Sequence, residues 1–270
     1  MDILLITLGI LIPFIGTSIG SSFVYLFKNK TISINLNKIF SGFAAGVMFS
    51  ASIFGLILPA LDYQTKYMPN VLIIVISFVL GFLLLLFLDH IIPHFHSQDN
   101  YEEGIRTTKL NKKQKMFLAI LIHNIPEGLS TGVVLGVGLA NLTSNNSNDI
   151  WLALSSGFMI ALGIAIQNIP EGAIVSLPFK SETNSTNKAF LYGVISGIVE
   201  PIFAIIGLLL AYFIEPIMPW ALAFAAGCMI YVTIEDLIPS ATSGEGKNHY
   251  GIIAFMIGFI LMFLLDFLLS

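Results

Sequence analysis

The sequence predicts an all-α integral membrane protein: eight transmembrane helices in an inverted 3+2+3 repeat, with both termini outside. Three observations carry that prediction. Of the 270 residues, 56% are hydrophobic and only 10% charged, against about 25% charged in an ordinary soluble domain. Apolar runs close to the roughly 20 residues that cross a bilayer recur along the whole chain. Stretches of the first half also reappear in the second with their polar residues in step. The same numbers exclude other classes. A net charge of -4 leaves no basic surface for nucleic acid, and a lone cysteine, Cys228, excludes a disulfide framework or a paired-cysteine metal or redox site.

Taken in order, the spans fall at about residues 2 to 27, 36 to 61, 71 to 92, 115 to 140, 150 to 178, 189 to 213, 217 to 239 and 250 to 269 of a single domain, 1–270. The first begins Met1-Asp2 with no basic segment before it and is long enough to span, so it reads as a helix and not a leader. Charge sets the orientation, because Lys and Arg collect in cytoplasmic loops. Lys28, Lys30 and Lys38 follow span one; Arg106, Lys109, Lys112, Lys113 and Lys115 follow span three; Lys180 and Lys188 follow span five; Lys247 follows span seven. The even-numbered loops hold only Lys66. That asymmetry puts the long loop 97–114 in the cytoplasm and both termini outside.

The repetition relates spans of opposite sense. Phe78, Gly81, Phe82 and Asp89 of span three recur 177 residues later as Phe255, Gly258, Phe259 and Asp266 of span eight. Phe43-Ala44-Ala45-Gly46 of span two matches Phe224-Ala225-Ala226-Gly227 of span seven, and spans one and six share a weaker pattern at Gly9 to Pro13 and Gly197 to Pro201. Odd spans pair with even ones, which is the pattern of inverted repeats that place a substrate site near the bilayer midplane.

Spans four and five share the chemistry. His123-Asn124-Ile125-Pro126-Glu127-Gly128 returns 44 residues later as Gln167-Asn168-Ile169-Pro170-Glu171-Gly172. An ionisable group at bilayer depth costs roughly 2.5 to 3.5 kcal/mol on insertion scales, so such residues mark a functional site by default. Positions i and i+4 share a helix face, so His123 points with Glu127 and Gln167 with Glu171, with Asn124 and Asn168 beside them. Pro126 and Pro170 free the carbonyls of Ile122 and Ile166 and are expected to kink their helices. Gly128 and Gly172 admit close approach by another backbone or an ion. Imidazole, carboxylate and amide donors suit Zn, Fe and Mn, and the absence of thiolates argues against Cu(I). The two glutamates suit bridging of two ions. Interhelical hydrogen bonding is the alternative role for His123.

Glu200, before Pro201 and about a turn and a half into its helix, is a third carboxylate at depth; an interfacial charge reaching water is its alternative. Met48 offers a thioether that equally well fills a gap. Asp62 and Asp266 at outer helix ends could draw in cations. Asp89, His90, His94 and His96 at the inner end of span three either pass an ion onward or simply begin a solvated loop. Glu235, Asp236 and His249 are weaker candidates. An intramembrane metal-dependent hydrolase is the competing class, but its usual H-E-x-x-H motif is missing, and a fixed catalytic site needs no two-sided access.

These paired motifs, the eight spans and the histidine-bearing loop resemble the ZIP (Zrt-, Irt-like protein) metal transporters, particularly the prokaryotic GufA-like branch. The resemblance implies a non-enzymatic, multi-pass protein of the cell (inner or plasma) membrane that moves zinc, and often iron, manganese or cadmium, into the cytoplasm as substrate and not cofactor. It implies one site from Met48, His123, Glu127, Gln167 and Glu171 and a second from Asn124, Glu127, Asn168, Glu171 and Glu200, with the two glutamates bridging. Some relatives have aspartate where this chain has Asn168. The resemblance further implies an elevator, with spans one, four, five and six sliding on the other four, and allows a homodimer.

Overall fold

The structure is a computed structural model and describes residues 2–26, 33–62, 69–92, 94–95, 102–103, 112–145, 150–183, 185–213, 217–243 and 248–269. Most of loop 97–114 and His96 lie outside the described residues, as does Lys66. Helix α1 (Asp2–Ser22) tightens into a 3-10 turn at Phe23–Tyr25. Helix α2 (Ile34–Ser50) widens into a π-helical segment, Ala51–Ile57, and resumes as α3 (Leu58–Asp62). Then come α4 (Asn70–Ile91), α5 (Lys112–Asn145) and α6 (Ile150–Thr183). Helix α7 (Thr186–Gly197) breaks at Ile198 before α8 (Val199–Phe213). Helix α9 (Met218–Val232) widens into a π-helical segment, Thr233–Leu237, before α10 (Ile238–Thr242), and α11 (Tyr250–Leu269) ends the bundle. A short antiparallel pair, His94–Phe95 with Glu102–Glu103, is the only strand structure among the described residues.

Seven of these rods are long and apolar enough to cross a membrane. The 34-residue α5, which carries the first motif, is not among them, although it is long enough. Its neighbours give its direction. Glu127 meets Gln167 and Leu135 meets Gly157, so α5 runs antiparallel to α6; Gly128, Gly132 and Gly136 meet Glu200, Ala204 and Leu208, so it runs parallel to α8.

Departures from regular α-helix fall before prolines outside the two motifs. Helices α5 and α6 run unbroken through Pro126 and Pro170. Widened turns lie before Pro59 and Pro239, whose rings offer no N–H to the carbonyls four residues back, on Gly55 and Glu235. Pro201 likewise cannot bond Gly197, and there the helix breaks.

The repeat is visible in the packing. A Cβ on Gly81 would collide with the Phe224 carbonyl, and one on Gly227 with that of Phe78. Across the repeat, Gly258 abuts the Phe43 carbonyl and Gly46 that of Phe255. Helices α4 and α9 therefore pack just as α11 and α2 do, backbone to backbone. A core of small and branched residues, including Ala44, Ala45, Ala225, Ala226, Ile160 and Ile164, fills the bundle.

Candidate metal centre

The two motif glycines position the site. On α5, a Cβ at Gly128 would strike the backbone of Glu200; on α6, one at Gly172 would strike the backbone of Thr17. Both glycines therefore admit a neighbouring backbone, which settles one of the two alternatives their sequence left open. The approach brings Glu200 of α8 within electrostatic reach of both motif carboxylates and sets the Thr17 side chain of α1 against Glu200 and Asn168. Glu200 lies in the first turn of α8, at the break, and not a turn and a half into a continuous helix.

A hydrogen-bonded network results. Gln167 Nε2 donates to Glu127 Oε1 at 2.6 Å and to Asn168 Oδ1 at 3.1 Å. Asn168 Nδ2 donates to Thr17 Oγ1 at 3.1 Å, and Thr17 Oγ1 donates to Glu200 Oε1 at 2.5 Å. Asn124 Nδ2 donates to the Ser196 carbonyl at 3.0 Å and more weakly to Glu200 Oε1 at 3.4 Å. Glu127, Gln167, Asn168 and Glu200 are each at most 1% exposed. The carboxylates of Glu127, Glu171 and Glu200 lie within electrostatic reach of one another.

What the network leaves over is as informative. Glu127 Oε2, Gln167 Oε1, Glu171 Oε2 and Glu200 Oε2 are buried acceptors with no hydrogen-bond donor among the described residues. A buried acceptor without a partner costs about 1–3 kcal/mol, more when charged, and asks for an explanation such as an ion. Among the described residues no three His, Cys, Asp or Glu side chains stand ready as a metal cage. A cation here would be held by carboxylate and amide oxygens from several helices, a donor set that suits borderline and hard divalent ions.

Other predicted residues fall elsewhere. His123 is buried and turns Nδ1 toward Asp236 Oδ2 at 3.6 Å. Asp236, on the π-helical turn, also lies within electrostatic reach of Glu171, so a residue the sequence ranked last adjoins the centre. Met48 is buried in the main apolar cluster. Asp62 and His90 are exposed, and Asp266 is half-buried. Asp89 is buried and accepts from Tyr231 Oη at 2.9 Å, so it is not part of a solvated loop start. His94 lies in the strand pair. Thr17 was missed; a hydroxyl four residues after Pro13 in an apolar run was the available signal.

Comparison with known proteins gives this network a lineage. Residues 113–266, more than half the chain, match the family model described as ZIP Zinc transporter. The chain is also 33% identical over 264 residues to Zinc transporter ZupT of Streptococcus mutans, covering 92% of this chain and 91% of that protein. The chain belongs to the ZIP family. Similarity extends to Zinc transporter GufA of Myxococcus xanthus, 31% identical over 217 residues and 79% of each chain. It extends to Zinc transporter ZIP11 of Homo sapiens, 40% identical over 152 residues, which is 56% of this chain and 42% of that protein. The chain thus spans less than half the length of the ZIP11 relatives it matches. These ZIP relatives bear the names of transporters and not of enzymes.

Proposed function

We propose that this ZIP family member is a transporter of divalent transition metal ions, zinc first among them, carrying them across the cell membrane into the cytoplasm. One observation carries the reading: four partnerless acceptor oxygens, from Glu127, Gln167, Glu171 and Glu200, buried at the middle of an apolar helical bundle. A cation that sheds its water there regains oxygen ligands. Carboxylates at membrane depth mark a functional site by default.

The substrate centre is binuclear in this reading. Met48, His123, Glu127, Gln167 and Glu171 hold one ion; Asn124, Glu127, Asn168, Glu171 and Glu200 hold the other. Helix α5 counts as the eighth span, since it runs antiparallel to α6 and parallel to α8 alongside them. Both termini then lie outside, with 97–114 inside. The rods fall into two sets, α1, α5, α6 and α7–α8 against α2–α3, α4, α9–α10 and α11, and the first slides on the second to expose the centre alternately. Asp62 and Asp266 attract incoming ions; Asp89, His90, His94 and His96 receive them inside. A second copy of the chain completes a homodimer.

Uptake of zinc-65 into vesicles carrying the purified, correctly inserted protein tests the transport reading. Metal-dependent flux is expected; bound metal without flux would falsify it.

A further inference from the structure

Outside the two motifs, the Thr17 side chain hydrogen-bonds to both Asn168 and Glu200. It lies on α1 and is 4% exposed, four residues beyond the weak pattern at Gly9 to Pro13, whose sequence match does not pair it with Glu200. Its backbone rests on Gly172 as that of Glu200 rests on Gly128. In the two-fold arrangement of the motifs, Thr17 therefore occupies the counterpart of the Glu200 position. A hydroxyl stands where the other half offers a carboxylate.

Its bonding runs both ways. The hydroxyl gives its one proton to Glu200 Oε1 and accepts from Asn168 Nδ2. With Asn124 Nδ2 also directed at it, Oε1 of Glu200 is committed to donors, and Oε2 is the oxygen left over. Asn168 Nδ2 donates to the Pro13 carbonyl at 3.5 Å as well, so the Thr17 hydroxyl and that carbonyl together hold the hand of the amide, which has one donor end and one acceptor end. The Asn168 carbonyl oxygen is then turned to the motif side, where Gln167 Nε2 meets it.

We propose that Thr17 is a positioning residue of the substrate centre: its hydroxyl aims Glu200 and helps set the orientation of the Asn168 amide, so that one oxygen of each faces the cation. This rests on the transport reading above. An aspartate at position 168 would need no such orientation, having two equivalent oxygens. The asparagine of this chain gives the hydroxyl a second partner to orient.

The test is zinc binding to purified protein by equilibrium dialysis, alongside zinc-65 uptake. Thr17→Val keeps the size and removes the hydroxyl; affinity is expected to fall about tenfold or more, the range typical of residues that orient metal ligands. Thr17→Ser, which restores the hydroxyl, should bind within about twofold of wild type. In a Glu200→Gln background, Thr17→Val should add much less than it does alone. If Thr17→Val does not fold, Thr17→Cys, similar in size and a weak donor, reads the same loss. Unchanged affinity in Thr17→Val overturns the role, as does a Thr17→Ser as weak as the valine variant. Binding without flux overturns the transport reading and leaves the Thr17 comparison standing.

Discussion

Glu127 and Glu171 each have one buried oxygen without a hydrogen-bond donor among the described residues, and both are ligands in the proposed centre. Glu127→Ala and Glu171→Ala should abolish zinc-65 uptake, a larger effect than the roughly 10- to 100-fold that loss of an orienting residue costs. Transport at the normal rate by Glu127→Ala would sink the ligand assignment. Asn168 is a neutral amide already engaged with Gln167 and Thr17, so Asn168→Ala should keep uptake while changing its rate or the preference among zinc, cadmium and manganese in competition assays. His123 supplies the only imidazole of the two motifs and faces Asp236. His123→Ala should therefore shift metal preference, read in the same assay.

At the scale of helices, close packing is carried by glycines matched across the repeat. Gly81→Leu or Gly227→Leu would force a side chain into a facing carbonyl. Either should destabilise the protein by about 1–3 kcal/mol, read as a lowered unfolding temperature in detergent. The widened turns have a different role. The turn before Pro239 carries Asp236 to His123, and an ordinary α-helical turn would rotate that carboxylate elsewhere. Pro239→Ala, which restores the missing N–H, should slow uptake while leaving helix content by circular dichroism unchanged. Sequence reasoning found an all-helical membrane protein, because apolar length is written along the chain, and seven helices among the described residues are long and apolar enough to cross a membrane. It did not find the widened turns before Pro59 and Pro239, because a proline can be accommodated in a regular helix or can widen the turn before it, and the packing of neighbours chooses between them.

For the molecule as a whole, the directions of the helices make topology testable. Asn70 Nδ2 donates to the carbonyls of Ala60 and Leu61, which places the start of α4 beside the end of α3. Helix α4 then leads away to His90 at its far end. The lone Cys228 is buried, so it is a quiet background for labelling. Asp62→Cys should react with a membrane-impermeant thiol reagent on intact cells, and His90→Cys only after permeabilisation. Labelling of both from outside would contradict the proposed crossing.

Along the chain alone, composition and apolar length determine that this is a helical membrane protein, and the doubled motif determines which two helices carry its polar centre. Those are local properties, since the energy of burying a residue in lipid depends on that residue and its near neighbours. Folding in three dimensions decided the rest: that the motif glycines receive backbones, that Thr17 stands opposite Glu200, that Asp236 faces His123, and that one oxygen of each carboxylate is left without a donor. These depend on partners separated by 72 to 183 residues in sequence. No periodicity reports such pairs, because a side chain's hydrogen bonds are chosen by what the fold brings within about 3 Å of it.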